Sequence, residues 1–277
     1  MIRQAQVQDH VQLKEMWTQV FGDEPQAVEA YFALRHRDED MLVWAEGNRI
    51  DGMLSMLPVT LVQGGEALSA RYIYAVATSE ARRGRGIATF LLEWAGEMSK
   101  ERGEAAHLLV PASESLFGYY EKRGFRTAFA LNVMDVEGTQ LAVCPAEGLI
   151  EPCSAKEYVR IRDHAFERNS LYARWDESAV KYALAALGDG GAARLAIKGG
   201  EGVACWSRTD EGVLVRELAL VGMEVELALA LLHRFIGADR YRVRLAAEAQ
   251  AKPYGMIRWF EERPPLAGPG YLALSLD

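Results

Sequence analysis

The sequence predicts an α/β chain with two units at residues 1–137 and 150–277, each a mostly antiparallel mixed sheet flanked by helices. Three observations carry this reading. At 277 residues the chain exceeds the usual domain size of roughly 100–200. Its apolar periodicity switches between helical and strand spacing in the same order twice. Between the two runs, GTQLAVCPAEGLIEPC at 138–153 loses strong periodicity and holds Pro145, Gly148 and Pro152, which places a boundary there.

In the first unit a short strand is predicted at Ile2–Ala5. Val7, Val11, Leu13, Met16, Trp17 and Val20 then share one stripe of a helix reaching Phe21. GDEP at 22–25 ends it, and Pro25 suits the first turn of a second helix carrying Val28, Tyr31, Phe32 and Leu34. Strands at 41–46 and 52–61 flank the turn GNRIDG, and 63–66 supplies another turn. RYIYAVAT at 71–78, rich in β-branched and aromatic residues, is the central strand. A Gly and Arg loop leads into a helix with Ile87, Leu91, Leu92, Trp94, Ala95 and Met98, closed by Gly103. HLLV at 107–110, a helix over 115–123 and a strand near 129–136 complete the unit.

In the second unit helices are predicted at 155–168 and 177–187, then strands at 195–198, 203–207 and 213–220, a helix at 226–235 and a strand at 241–245. LALSL near the end reads as a final strand pairing into the second sheet. The two units share architecture but no repeated motif. Where the first has RRGRGIA between strand and helix, the second has LVGMEVE, with one Gly and two acids, a poor place for an anion.

Charge and composition exclude several classes. Lys plus Arg total 31 against 39 Asp plus Glu, a net charge of −8 that opposes a phosphate backbone, so nucleic acid is not the expected partner. The short cluster Arg82, Arg83 and Arg85 is too small to reverse this. No apolar run has the roughly 18 residues of a membrane span, and MIRQAQVQDHVQLKEMW lacks the apolar centre of a signal peptide, so a cytoplasmic location is expected. Cys144, Cys153 and Cys205 show no metal-like spacing and read as reduced thiols. His10, His107, His164 and His233 fall in apparent helices or a buried strand, and His36 in the charge run RHRDED; structural or solvated roles account for them, and no metal is expected.

In Arg83-Gly84-Arg85-Gly86-Ile87-Ala88 small residues permit close backbone approach, the following helix presents unpaired N–H groups, and arginines add positive charge. A pyrophosphate suits such a loop. No Lys-Ser or Lys-Thr follows the glycines and GxGxxG is absent, so the P-loop and dinucleotide fingerprints do not fit.

The pattern [RQ]xxGx[GA] at 83–88, placed after YIYAVAT and before FGYYEKRGF, resembles the GNAT superfamily of acetyl-CoA-dependent N-acyltransferases over nearly all of residues 1–136. The resemblance implies acetyl-CoA as co-substrate, its pantetheine arm pairing with the splayed strand at Val76, Ala77 and Thr78 and its pyrophosphate on loop amides from Arg83, Gly84, Arg85, Gly86, Ile87 and Ala88 to Thr89. It also implies that Tyr120, four residues before the Gly-Phe pair, is the general acid that protonates the departing thiolate; its neighbour Tyr119 lies about 100° around the helix. Ser113 and Ser115 either bond the coenzyme arm or cap the helix. Trp44, Tyr72 and Tyr74 are candidates for a wall around a cationic amine, against a default of core packing. Glu24, Glu46 and Asp51 lie near the expected pocket by chain order, and none is assigned as base.

Two units with one coenzyme loop resemble tandem GNAT proteins, including the branch named for enhanced intracellular survival. Members of that branch often acylate polyamine-like or aminoglycoside substrates. Its third, sterol-carrier-like domain is expected to be missing here, and its geometry makes the terminal carboxylate of Asp277 a conceivable base. The expected activity is acetyl transfer to a primary amine of a small molecule or peptide by direct ternary-complex transfer. The alternative is a noncatalytic acyl-CoA sensor that presents a partner surface.

Overall fold

The computed structural model of the chain describes residues 1–247 and 251–274. In chain order the elements are β1 (Ile2–Gln4), α1 (His10–Phe21), α2 (Pro25–Leu34), β2 (Met41–Glu46), β3 (Arg49–Gln63), β4 (Glu66–Thr78), α3 (Ile87–Glu101), β5 (Ala106–Leu109), α4 (Glu114–Glu121) and β6 (Arg126–Glu137). They continue as α5 (Gly138–Ala142), β7 (Leu149–Pro152), α6 (Ala155–Phe166), β8 (Leu171–Arg174), α7 (Glu177–Ala185), β9 (Gly191–Ile197) and β10 (Gly200–Thr209). β11 (Gly212–Val221), α8 (Val225–Ile236), β12 (Arg240–Ala246) and β13 (Lys252–Trp259) follow. The fold is mixed α/β, with a mostly antiparallel sheet flanked by helices.

Local chemistry explains the boundaries. Leu13, Met16 and Trp17 bury the inner face of α1, and Gly22 ends it at φ +75°. β3 and β4 form a hairpin in which Gln63 faces Glu66 across Gly64 and Gly65, both at positive φ as the tight reversal requires. Alternation then sends Met53 and Leu57 to the core under α1 and α2, and Leu54 and Met56 to the core under α3 and α4.

The strands join in one continuous path, β1-β2-β3-β4-β5-β13-β6-β12-β11-β10-β9-β7, with β8 pairing β3. β6 links the two halves: its first residues pair with β13 and Leu131–Glu137 pair with β12. β13 lies between β5 and β6, antiparallel to both. Its sequence, KPYGMIRW, does not read as a strand because Pro253 and Gly255 are breakers; the ladder takes them up as register shifts on either side of Gly255. The stretch 138–153, read as irregular, holds α5 and β7, and β7 pairs with β9.

The expectation of a final strand at LALSL is corrected for the described residues. Tyr271 makes a single bridge to Tyr172, and Leu272–Leu274 run on outside any ladder although buried. The last residues of that call, and Asp277, lie outside the described residues. The tail is anchored by backbone bonds of Gly270 and Tyr271 to neighbouring strands and by side chains. Glu217, fully buried, accepts from Arg162 Nε at 3.0 Å, Tyr158 Oη at 3.0 Å and Tyr271 Oη at 3.1 Å. The carboxylate thus has a charged partner and two hydroxyls, the condition under which a buried ion pair is tolerated. Cys144, Cys153 and Cys205 are free, and burial pushes the Cys205 thiol up to about 12.

Candidate active site

The site begins where two parallel strands stop pairing. β4 and β5 are in register over Ala70–Tyr72 and Ala106–Leu108, and beyond these residues no ladder joins them. β4 also spends one extra residue there: Met53 faces Ala77 while Ser55 faces Tyr74. The bulge centres on Ala75, whose φ of +49° is unusual for a residue with a Cβ and costs on the order of 1 kcal/mol or more. Bulges of this kind re-aim a strand. The opened strands wall a cleft of about 560 Å³, with Ile73–Val76 on one side and Leu109–Ser113 on the other. Val76 lines it, whereas Ala77 is buried and pairs with Met53, and Thr78 pairs with Gly52.

The glycine loop reaches α3 as the sequence suggests. Gly84 and Gly86 both take φ +78°, and Gly86 is the N-cap of α3, with no side chain to satisfy the helix's first amides. Arg82 is committed to Glu46 at 2.7 Å and Asp51 at 3.5 Å, which pins the start of the loop. Arg83 and Arg85 are exposed and form no ion pair among the described residues. Free cations, unpaired amides and the helix dipole therefore coincide at one place, the combination an anion needs. Ile87 is buried, and Ala88 and Thr89 are half-buried in the first turn of α3.

Tyr120 closes the cleft from α4. It is 9% exposed, packs edge-on against Tyr119 at 5.2 Å and Phe125 at 5.6 Å, and its hydroxyl has no hydrogen-bond partner among the described residues. Burial pushes the phenol up to about 12, so it is protonated at neutral pH. Arg123 ties this helix to the loop helix: its guanidinium lies 3.4 Å from the Tyr119 ring centre and donates to Thr89 Oγ1. The Thr89 oxygen thus accepts from protein, leaving its O–H to donate. Ser113 lines the cleft and stands at the N-cap of α4 without a side-chain capping bond; Ser113 and Ser115 bond each other at 2.9 Å.

The opposite end is acidic and aromatic. Trp17, Phe21, Asp23, Tyr72 and Tyr74 line it, with Tyr254 from β13. Asp23 accepts from Trp17 Nε1 at 2.7 Å, Trp17 lies 5.4 Å from Tyr74, and Tyr72 stacks on Tyr74 at 6.1 Å. Trp44 lies elsewhere, 5.7 Å from Phe90 of α3, and does not line the cleft. Glu24, Glu46 and Asp51 also lie off the lining; Asp51 is buried and bonds Arg49 at 2.9 Å. Among the lining residues not anticipated from sequence are Trp17, whose helical stripe reads as core, Asp23, lost in the breaker GDEP, and Tyr254, on a strand that carries no strand signal.

Residues 1–128 match the model of the acetyltransferase (GNAT) domain. This span is a GNAT domain. It includes the bulged strand, the glycine loop and Tyr120. The likeness in solved structures extends over both halves. A GCN5-related N-acetyltransferase from Anabaena variabilis is 19% identical with a TM-score of 0.74, covering 93% of this chain and 72% of that one. One from Kribbella flavida is 17% identical with a TM-score of 0.73, covering 94% and 70%. Eis1 from Mycobacterium abscessus is 16% identical with a TM-score of 0.65, covering 94% and 73%. At these identities the likeness is one of fold, and it is consistent with two GNAT-like halves in this chain. A search of curated protein sequences gives no match. Among the described residues no helix is long and apolar enough to cross a membrane.

Proposed function

We propose that the chain transfers the acetyl group of acetyl-CoA to a primary amine by direct attack within a ternary complex, with 1–137 as the catalytic unit and 150–277 as a degenerate partner. The observation that carries this reading is the opened β4–β5 pair, with an anion-suited loop at one end and, against the cleft, a protonated tyrosine without a hydrogen-bond partner among the described residues. The residues fit the co-substrate: loop amides with Arg83 and Arg85 hold its pyrophosphate, and the unpaired edge of β4 receives its pantetheine arm.

In the transfer the amine nitrogen bonds to the thioester carbonyl carbon, the carbon–sulfur bond breaks, and sulfur leaves with the electron pair. Tyr120 gives its phenolic proton to that sulfur, and the proton released by the new amide returns to the site through solvent. The buried phenol, near 12, is a weaker acid than a thiol in water at about 8.5, so the transfer relies on the same burial disfavouring the thiolate. A backbone N–H on the opened strand edge polarises the carbonyl. At the far end Asp23, backed by Trp17 and Tyr74, attracts a cationic amine and holds it over aromatic faces, and the ammonium loses one proton to solvent before its nitrogen attacks.

The test is a panel of amino acids, polyamines, aminoglycosides and peptides incubated with acetyl-CoA, reading thiol release and the mass of the acetylated amine. Acetylation of at least one class supports the proposal. Saturable acetyl-CoA binding with no transfer across the panel overturns it in favour of an acyl-CoA sensor.

A further inference from the structure

The first turn of α1 and the connection from α2 to β2 bring together three groups that acyl transfer does not use. Nε2 of His10 lies 2.7 Å, and Nε2 of His36 2.8 Å, from the same oxygen of Asp38, Oδ1. One ligand atom from each residue falls within 4.8 Å of the others. Ligands at the usual zinc distances of about 2.0–2.2 Å sit roughly 3 Å from one another, so the two short spacings already resemble edges of a coordination shell.

The surroundings suit a cation. The His36 side chain is 5% exposed, so its ring is held inside the protein. His10 and Asp38 are 29% and 30% exposed, leaving one side of the cluster open to water. Phe32 stacks on His36 at 4.5 Å and meets His10 edge-on at 5.5 Å, so both rings are held in place. The Asp38 carboxylate is shared by both imidazoles, which fixes its position between them.

We propose that His10, His36 and Asp38 bind one divalent transition-metal ion of zinc-like preference, water completing its shell. Two imidazoles and a carboxylate from separate segments are a ligand set for such ions, and a half-open shell is compatible with a solvent-accessible site. The ion clips the start of α1 to the end of α2. Trp17 and Phe21 of α1 and Asp23 just beyond it line the cleft, so occupancy steadies that wall. The inference does not depend on which reaction the cleft performs.

Full-length chain freed of any affinity tag and stripped with chelator is titrated with zinc ion by calorimetry, alongside His10→Gln and Asp38→Asn. The expected result is one site per chain, weakened at least about tenfold in each variant, with a zinc-dependent rise in thermal midpoint that the variants lose. In the unmutated chain, zinc should shift the ring-proton resonances of two of the five histidines. No saturable binding, binding undiminished in both variants, or no histidine resonance moved would each overturn the proposal.

Discussion

Replacing Tyr120 by Phe separates chemistry from structure unusually well, because the ring is buried and the hydroxyl has no hydrogen-bond partner among the described residues. Its hydroxyl makes no hydrogen bond with a described residue, and its ring rests on Tyr119 and Phe125 at 5.2 and 5.6 Å, contacts that Phe retains. The hydroxyl faces the open cleft, where water can satisfy it, so its removal changes stability by less than about 1 kcal/mol, or roughly 2–4 °C in thermal midpoint for a chain of this size class. Loss of a general acid lowers turnover about 10²- to 10⁴-fold, or about 2.7–5.4 kcal/mol of barrier. The assay is steady-state thiol release with the best amine of the panel, varying acetyl-CoA, beside thermal unfolding of both proteins. The account expects kcat to collapse while acetyl-CoA affinity and midpoint hold. A kcat within about threefold of the original, well short of a general-acid effect, would refute the assignment.

Gly86→Ala forces a Cβ into φ +78°, 3.4 Å from Phe90, and should cost about 1–2 kcal/mol of stability while weakening acetyl-CoA binding. Gly118→Ala, on an open face of α4 with nothing within 4 Å, should instead stabilise by about 0.5–1 kcal/mol and leave that affinity alone. Glu217→Ala strands the buried Arg162 guanidinium and should lower unfolding free energy by about 3–5 kcal/mol in urea titrations, with Glu217→Leu/Arg162→Met recovering much of it. His107, pushed down to about 3 by burial beside Arg258 and Arg71, is neutral when folded and takes a proton near 6.5 when unfolded. Its contribution to stability is therefore present above about pH 6.5 and is lost as pH falls toward 3, with a slope approaching about 1.4 kcal/mol per unit that His107→Leu should remove from acid-unfolding curves.

Those features explain which parts of the molecule could be read in advance. Elements whose signal is local were legible: the stripe of α1, Pro25 opening α2, the Gly64–Gly65 reversal, and RGRGIA before α3. The loop, the tyrosine and the strand preceding them are all set by spacing along one segment, so their order carried the family resemblance. Long-range pairing was not legible. β13 sits between β5 and β6 although Pro253 and Gly255 argue against a strand, because two irregularities in the ladder absorb them. β8 has only four residues, and its pairing with β3 joins positions more than a hundred residues apart. The acceptor wall shows the same limit: Trp17 buries one face and lines the cleft with another, a double role periodicity cannot distinguish. The sheet split was expected only through the family resemblance, since Ala75 itself gives no hint of the left-handed backbone it adopts.

The central claim is that the opened strands and the glycine loop receive acetyl-CoA. Calorimetric titration of the folded chain with acetyl-CoA tests it most directly. The account predicts saturable one-to-one binding that weakens in Gly86→Ala and persists in Tyr120→Phe. Absence of saturable binding by a chain whose fold has been verified would contradict it.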